Sequence, residues 1–517
     1  MFDLLLEEIQ NLAGSVIGHS TWLSREASKL VINSIVGVTR NRPHPWSTVA
    51  DYTSWHGLTD RTYLARHLPP REPPTDLPDI NKVIELFARP PGGQLLSEKS
   101  TCLFPAFAQY LTDGFIRTDH QDRAKTTSNH EIDLCPLYGR TLAQTQLLRE
   151  HNPAQGHKGR LKSQVIKGEE YAPFLYLDQG ARRNPEFNVP GFDWPLSPFP
   201  VDPPPAQAAT LFAFGGDRAN STPFSAMMNT LLLREHNRVA GALEHENPGW
   251  DDERVFQTAR NIMIPMFIKI VVEQYINHIA PLPFNLKADP SVAWHADWNR
   301  PNWMTVEFSL LYRWHSLMPD RIEWAAGRHI PLAQFGLDNE PLITAGLDAA
   351  FSAASAQKAA ELGALNTAEA LRQVEWLGVQ QARANRLDTY NEYRKAFKLK
   401  PAVSFADISS VPTVQALLKE LYKTTDNVEF YAGLFAEDRV KNSPLPELIL
   451  RMVGVDAFSQ ALTNPLLSEH VFNEQTFTPW GFELINSTST LEDMLARNVA
   501  RRGPQPIRMT QASWRYS

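Results

Sequence analysis

Residues 262–272 form the most apolar long run in the chain, and no other feature limits the fold as much. The run carries Pro265 and Lys269 and is too short to cross a bilayer, so it predicts a helix buried inside the protein. Strand signals are sparse elsewhere, which makes the expected class mainly α. A chain of 517 residues has room for two or three ordinary domains, or for one large helical one. Residues 1–40 repeat apolar side chains at helical spacing, from Leu5 and Ile9 through Val16 to Ile32 and Val36, broken by Gly14, Gly18 and Ser24. They predict short amphipathic helices that either lie on a membrane surface or cap a soluble core. The Pro-rich residues 68–77 and 190–205 read as surface connectors. The Ala-rich residues 345–371 predict a helical hairpin. The hexapeptide LLREHN occurs at 147–152 and again at 232–237, with no wider similarity around the copies, and is not read as a repeat.

The net charge of −7 gives no sign of a nucleic-acid surface. Cys102 and Cys135 fit a reducing compartment, although a single bridge would also satisfy the pair. The N-terminal MFDLLLEEIQ is acidic, without a basic flank or cleavage site, so no secretory signal is expected. The expected location is the cytoplasm or, peripherally, a membrane surface.

Residues 310–320, LLYRWHSLMPD, concentrate the chemistry. Tyr312 precedes His315 by three positions, with Trp314 between them, and a helix would set the two on one face. A neutral imidazole is a good axial ligand for haem iron. A phenol beside an oxidised haem can lose an electron and a proton, which suits hydrogen abstraction from carbon. A lone core histidine among aromatics is the plainer alternative; the surrounding motifs decide against it.

That segment closely resembles the corresponding one of cyclooxygenases and related fatty-acid dioxygenases of the animal-type haem peroxidase superfamily. Further matches follow in the same chain order. They are Phe107-Ala108-Gln109, Arg117-Thr118-Asp119-His120, LLLREHNRV at 231–239, Tyr390-Asn391-Glu392-Tyr393-Arg394, Phe458-Ser459, and Phe482-Glu483-Leu484-Ile485-Asn486. The likeness runs from about residue 25 to the end. It implies a mainly α, cyclooxygenase-like domain over 46–517, preceded by an amphipathic segment at 1–45 that surrounds a substrate-channel mouth. It implies Tyr312 as the radical and His315 as the proximal ligand of a haem b. The two cysteines cannot build the disulfide-rich module of the animal enzymes, which fits a bacterial or other non-animal member.

The resemblance also exposes departures. The superfamily usually sets a distal histidine four residues after a glutamine; here Gln109 is followed by Asp113. Asp217-Arg218-Ala219-Asn220 resembles the distal-arginine motif that cyclooxygenases lack. A carboxylate flanked by a guanidinium is expected to stay ionised and to accept the peroxide proton, so Asp113 and Arg218 form the expected distal pair. Ser221 and Thr222 replace the residues that bind haem covalently in mammalian relatives, implying non-covalent haem, and Gly114 replaces a calcium-binding aspartate, so no calcium is expected. At the channel, Lys29 matches the arginine that holds the fatty-acid carboxylate, Leu282 replaces its helper tyrosine, and Ser459 matches the serine lining the pocket, with Trp314 beside it. The implied reaction joins an unsaturated fatty acid such as linoleic acid to O2, giving a hydroperoxide or an endoperoxide. The rivals are a peroxidase of small organic molecules and a non-catalytic haem- or lipid-binding relative.

Overall fold

The computed structural model describes residues 21–38, 59–72, 74, 76–190, 192, 194 and 203–517. Much of the amphipathic segment at 1–45, namely residues 1–20 and 39–45, lies outside the described residues, as does part of the Pro-rich run at 190–205. The helices that position the site are α1 (Thr21–Val36), α2 (Leu103–Phe115), α3 (Pro223–Glu246), α4 (Asp252–Ile270), α5 (Val306–Leu311), α6 (Arg372–Ala384), α7 (Phe430–Ala436) and α8 (Glu447–Leu462). Strand content among the described residues is small. It comprises two-stranded antiparallel ribbons such as β1 (Leu96–Thr101) with β2 (Lys358–Ala360).

The apolar run at 262–272 is the centre of a longer helical stretch, Asp252–Ile279, which by length and composition alone could span a membrane. It is instead mostly buried by protein. Asp251 caps its start by accepting from the Arg254 N–H, and Asp252 and Glu253 fill the first turn, where the helix dipole favours acids. It continues as a π-helical turn, Val271–Ile276. Alongside it runs α3, opened by the Thr222 cap with Pro223 at the first position, and α2 packs on α3. The LLREHN copy at 232–237 lies wholly in α3, where Arg234 pairs with Glu169 and Glu235 takes Arg238 and Arg497. These motif residues hold the frame together.

Helix α1 packs on α8, burying Val31, Ile32 and Val36. The contact depends on Gly454, where an added Cβ would stand 2.7 Å from Ile35 Cγ2. The predicted hairpin at 345–371 does not form. A helix spans Leu347–Ala356, and the chain then turns into β2, because pairing with β1 outweighs alanine's helix propensity. Cys102 and Cys135 are buried free thiols.

Candidate active site

Helix α5 stops at Leu311, so Tyr312 and His315 do not share a helical face: Tyr312 caps the helix and His315 opens a 3-10 turn. The cause lies in side chains that take the carbonyls a helix would need. The Trp314 indole N–H donates to Leu311 O at 2.6 Å, where the His315 N–H would have bonded, and Arg313 Nε donates to Ser309 O at 3.1 Å. Tyr312 is consequently held in an aromatic stack, with ring centroids 4.6 Å from Trp314 and 4.7 Å from Phe308. Its hydroxyl is buried and makes no hydrogen bond of normal geometry among the described residues. It faces the hydroxyl of Tyr275, on the π-helical turn, near enough for each to feel the other. Burial pushes both phenols well above their ordinary pKa, so each is neutral.

His315 turns Nδ1 to Glu375 Oε1 at 3.1 Å, and Nε2 has no partner among the described residues. Glu375, in the first turn of α6, also takes Thr367 Oγ1 at 2.9 Å and the Tyr431 hydroxyl of α7 at 2.5 Å.

On α2, Asp113 is 9 % exposed, and its Oδ1 accepts from Arg218 at 3.4 Å. Its Oδ2 is buried without a partner. Burial outweighs the pull of Arg218 and Arg117 and pushes its pKa up to about 6. Desolvation outweighs the guanidinium, so Asp113 stays ionised only above about pH 6. Arg218 also reaches Ile116 O at 3.2 Å, and a buried ion pair of Arg117 with Asp217 fixes the turn that carries it. Gln109 is held by Ser221 and Thr222, donating to Ser221 Oγ at 2.9 Å. Arg313 feels Arg218 on one side and Glu375 with Tyr431 on the other, which ties both ends into one region. A bare imidazole nitrogen and an orphaned carboxylate oxygen fit a haem with an axial ligand and a distal oxygen-binding face.

A cleft of about 110 Å³ is lined by Ile35, Ile276, Ile279, Leu282, Val453 and Phe458, with Arg451 and Glu447 as its charged groups. Ile276 and Phe458 line it, whereas their chain neighbours Tyr275 and Ser459, and Tyr312 itself, are not among its lining residues. The Ser459 hydroxyl donates to Val455 O at 2.6 Å within α8. Lys29 lies outside the lining and pairs with Asp289 at 3.4 Å and Glu26 at 3.3 Å. Trp314 touches Tyr312 and not the cleft. Glu375, Tyr431, Tyr275 and Arg451 carry no signal in sequence, because each comes from a segment distant from 312–315.

The animal haem peroxidase model matches residues 90–509. The chain is 31% identical over 478 residues to prostaglandin G/H synthase 2 of Gallus gallus, covering 88% of this chain and 74% of that protein. Prostaglandin G/H synthase 1 of Rattus norvegicus is 32% identical over 482 residues, with the same coverages. Among solved structures, an Oryza sativa fatty acid alpha-dioxygenase with palmitic acid has a TM-score of 0.71 at 16% identity, covering 96% of this chain and 93% of that one. Peroxidase A of Dictyostelium discoideum has a TM-score of 0.70 at 19% identity, covering 86% and 95%. The collinear motifs, the helical frame and these likenesses agree: the chain belongs to the animal haem peroxidase family, whose cofactor is haem.

Proposed function

We propose that this protein is a haem-dependent fatty-acid dioxygenase, adding O2 to an unsaturated fatty acid such as linoleic acid through a radical on Tyr312. The observation that carries the reading is the buried, neutral Tyr312 phenol three residues from His315, whose Nε2 is bare; the apolar cleft lined by Ile276 and Phe458 would take the acyl chain. Haem b, held non-covalently by His315, would supply the one-electron oxidant. Burial keeps Tyr312 a neutral phenol, the form whose hydrogen atom is removed on going to the radical. The tyrosyl takes a hydrogen atom from an allylic carbon, and O2 adds to the carbon radical. The peroxyl then regains that hydrogen from Tyr312, giving a hydroperoxide and regenerating the radical. The apolar walls orient the chain and exclude water. Trp22 and Leu30, each 68% exposed on α1, support peripheral lipid contact. Incubating haem-loaded protein with linoleic acid should consume oxygen and yield an oxygenated product identifiable by chiral chromatography and mass spectrometry. Haem binding without oxygen uptake would leave a non-catalytic relative.

Among the described residues lining the cleft the cation is Arg451, which makes it a better candidate carboxylate anchor than Lys29. Arg451→Gln should raise KM for the fatty acid about tenfold with little change in kcat, the loss of one charge-assisted hydrogen bond. Lys29→Met is the control; a matching rise there would move the anchor to Lys29.

The peroxidase reading draws on the Asp113–Arg218 contact. With its pKa near 6, Asp113 is protonated below that pH and becomes a competent base above it. Hydroperoxide turnover should therefore rise with pH through about 6. Asp113→Asn should flatten that rise and lengthen the lag before oxygen uptake. An unchanged profile would leave Asp113 with a structural role only.

A further inference from the structure

We propose that Glu375 sets the electron-donating strength of His315, and so the preference of the bound iron for its oxidised state. Glu375 is 2% exposed, and a carboxylate at such depth needs hydrogen-bond donors. It has three. His315 Nδ1 and Thr367 Oγ1 meet Oε1, and the Tyr431 hydroxyl meets Oε2. Among the described residues no lysine or arginine forms an ion pair with it. A carboxylate only accepts, so the Nδ1 contact fixes the imidazole proton there and leaves the Nε2 lone pair bare on the opposite side of the ring. Pulling on the Nδ1 proton gives the ring partial imidazolate character, and a more basic ligand favours ferric over ferrous iron.

The local structure protects this arrangement. Gly378 lies one turn after Glu375 on α6, and a Cβ there would stand 2.7 Å from the Tyr431 hydroxyl. A larger residue would push the phenol off the carboxylate. Thr367 and Tyr431 compete with His315 for the same charge, so they moderate the pull. Glu375 is accordingly a positioning residue that acts through His315, and the proposal rests on His315 being the axial ligand.

The test compares haem-loaded wild type with Glu375→Gln, Tyr431→Phe and Thr367→Val. The readouts are the ferrous iron–histidine stretch in resonance Raman spectra and the ferric/ferrous reduction potential. Circular dichroism and haem stoichiometry report on folding. Glu375→Gln removes the charge with little change of shape, so the stretch should move to lower frequency and the potential should rise. Tyr431→Phe and Thr367→Val each remove a competitor, so both readouts should move the opposite way. These two variants keep the proposal testable if Glu375→Gln folds poorly. Shifts of all variants in one direction, or none in any, would overturn it. A wild type with no iron–histidine band would overturn both this proposal and the ligand assignment beneath it.

Discussion

His315→Ala is expected to abolish fatty-acid-dependent oxygen uptake and to weaken haem binding by more than about a hundredfold, because even outer-shell partners of a metal ligand are worth 10–100-fold. The variant removes the bare Nε2 that faces away from Glu375. It should not unfold the protein. His315 is partly exposed, and Glu375 keeps Thr367 and Tyr431 as donors after the imidazole is gone. The loss of one of three donors costs about 1–3 kcal/mol at most. Titration with haemin, followed by the Soret band, measures the affinity; the melting temperature of the haem-free protein checks the fold. Full oxygenase activity in purified His315→Ala would sink the functional reading as a whole.

Tyr312→Phe separates the proposed radical site from the scaffold. The ring volume and the stack on Trp314 and Phe308 are kept, so haem should bind as in wild type. Oxygen uptake with linoleic acid should fall to background. Stability should change by no more than about 1 kcal/mol, because the deleted hydroxyl is buried and loses only its weak contact with the Tyr275 hydroxyl. The pairing of lost turnover with an undiminished melting temperature is distinctive: a general packing defect lowers both. Hydroperoxide formation at the wild-type rate would put the chemistry elsewhere.

The architecture was largely legible in the sequence, and the site only in part. The run at 262–272 read correctly as a buried helix because an apolar stretch carries its own burial signal. Tyr312 and His315 were found by their motif, but helical spacing was the wrong reason for grouping them. Two side chains, Trp314 and Arg313, end the helix in a way no propensity scale encodes. LLREHN shows the limit most clearly. At 147–152 it leaves a short helix and runs into a loop, while at 232–237 it is helical throughout. Identical residues follow their tertiary surroundings. Asp113 was legible as a departure from the family pattern, but its pKa of about 6 was not, since depth of burial is a property of the folded chain. Glu375 was invisible because its meaning exists only opposite His315.

The π-helical turn at Val271–Ile276 sets a rule for how this gene can change. An α-helix advances about 100° per residue, and a π turn carries one residue more than an α turn. That extra residue sets the rotation at which Tyr275 meets Tyr312 and Ile276 meets the apolar cleft. Deleting it could close the stretch to a plain α turn, which would leave downstream side chains close to their present orientation and change mainly which side chain stands at the Tyr275 place. A single-codon deletion within 271–276 should thus disturb Tyr275 far more than Ile279 and the residues after it.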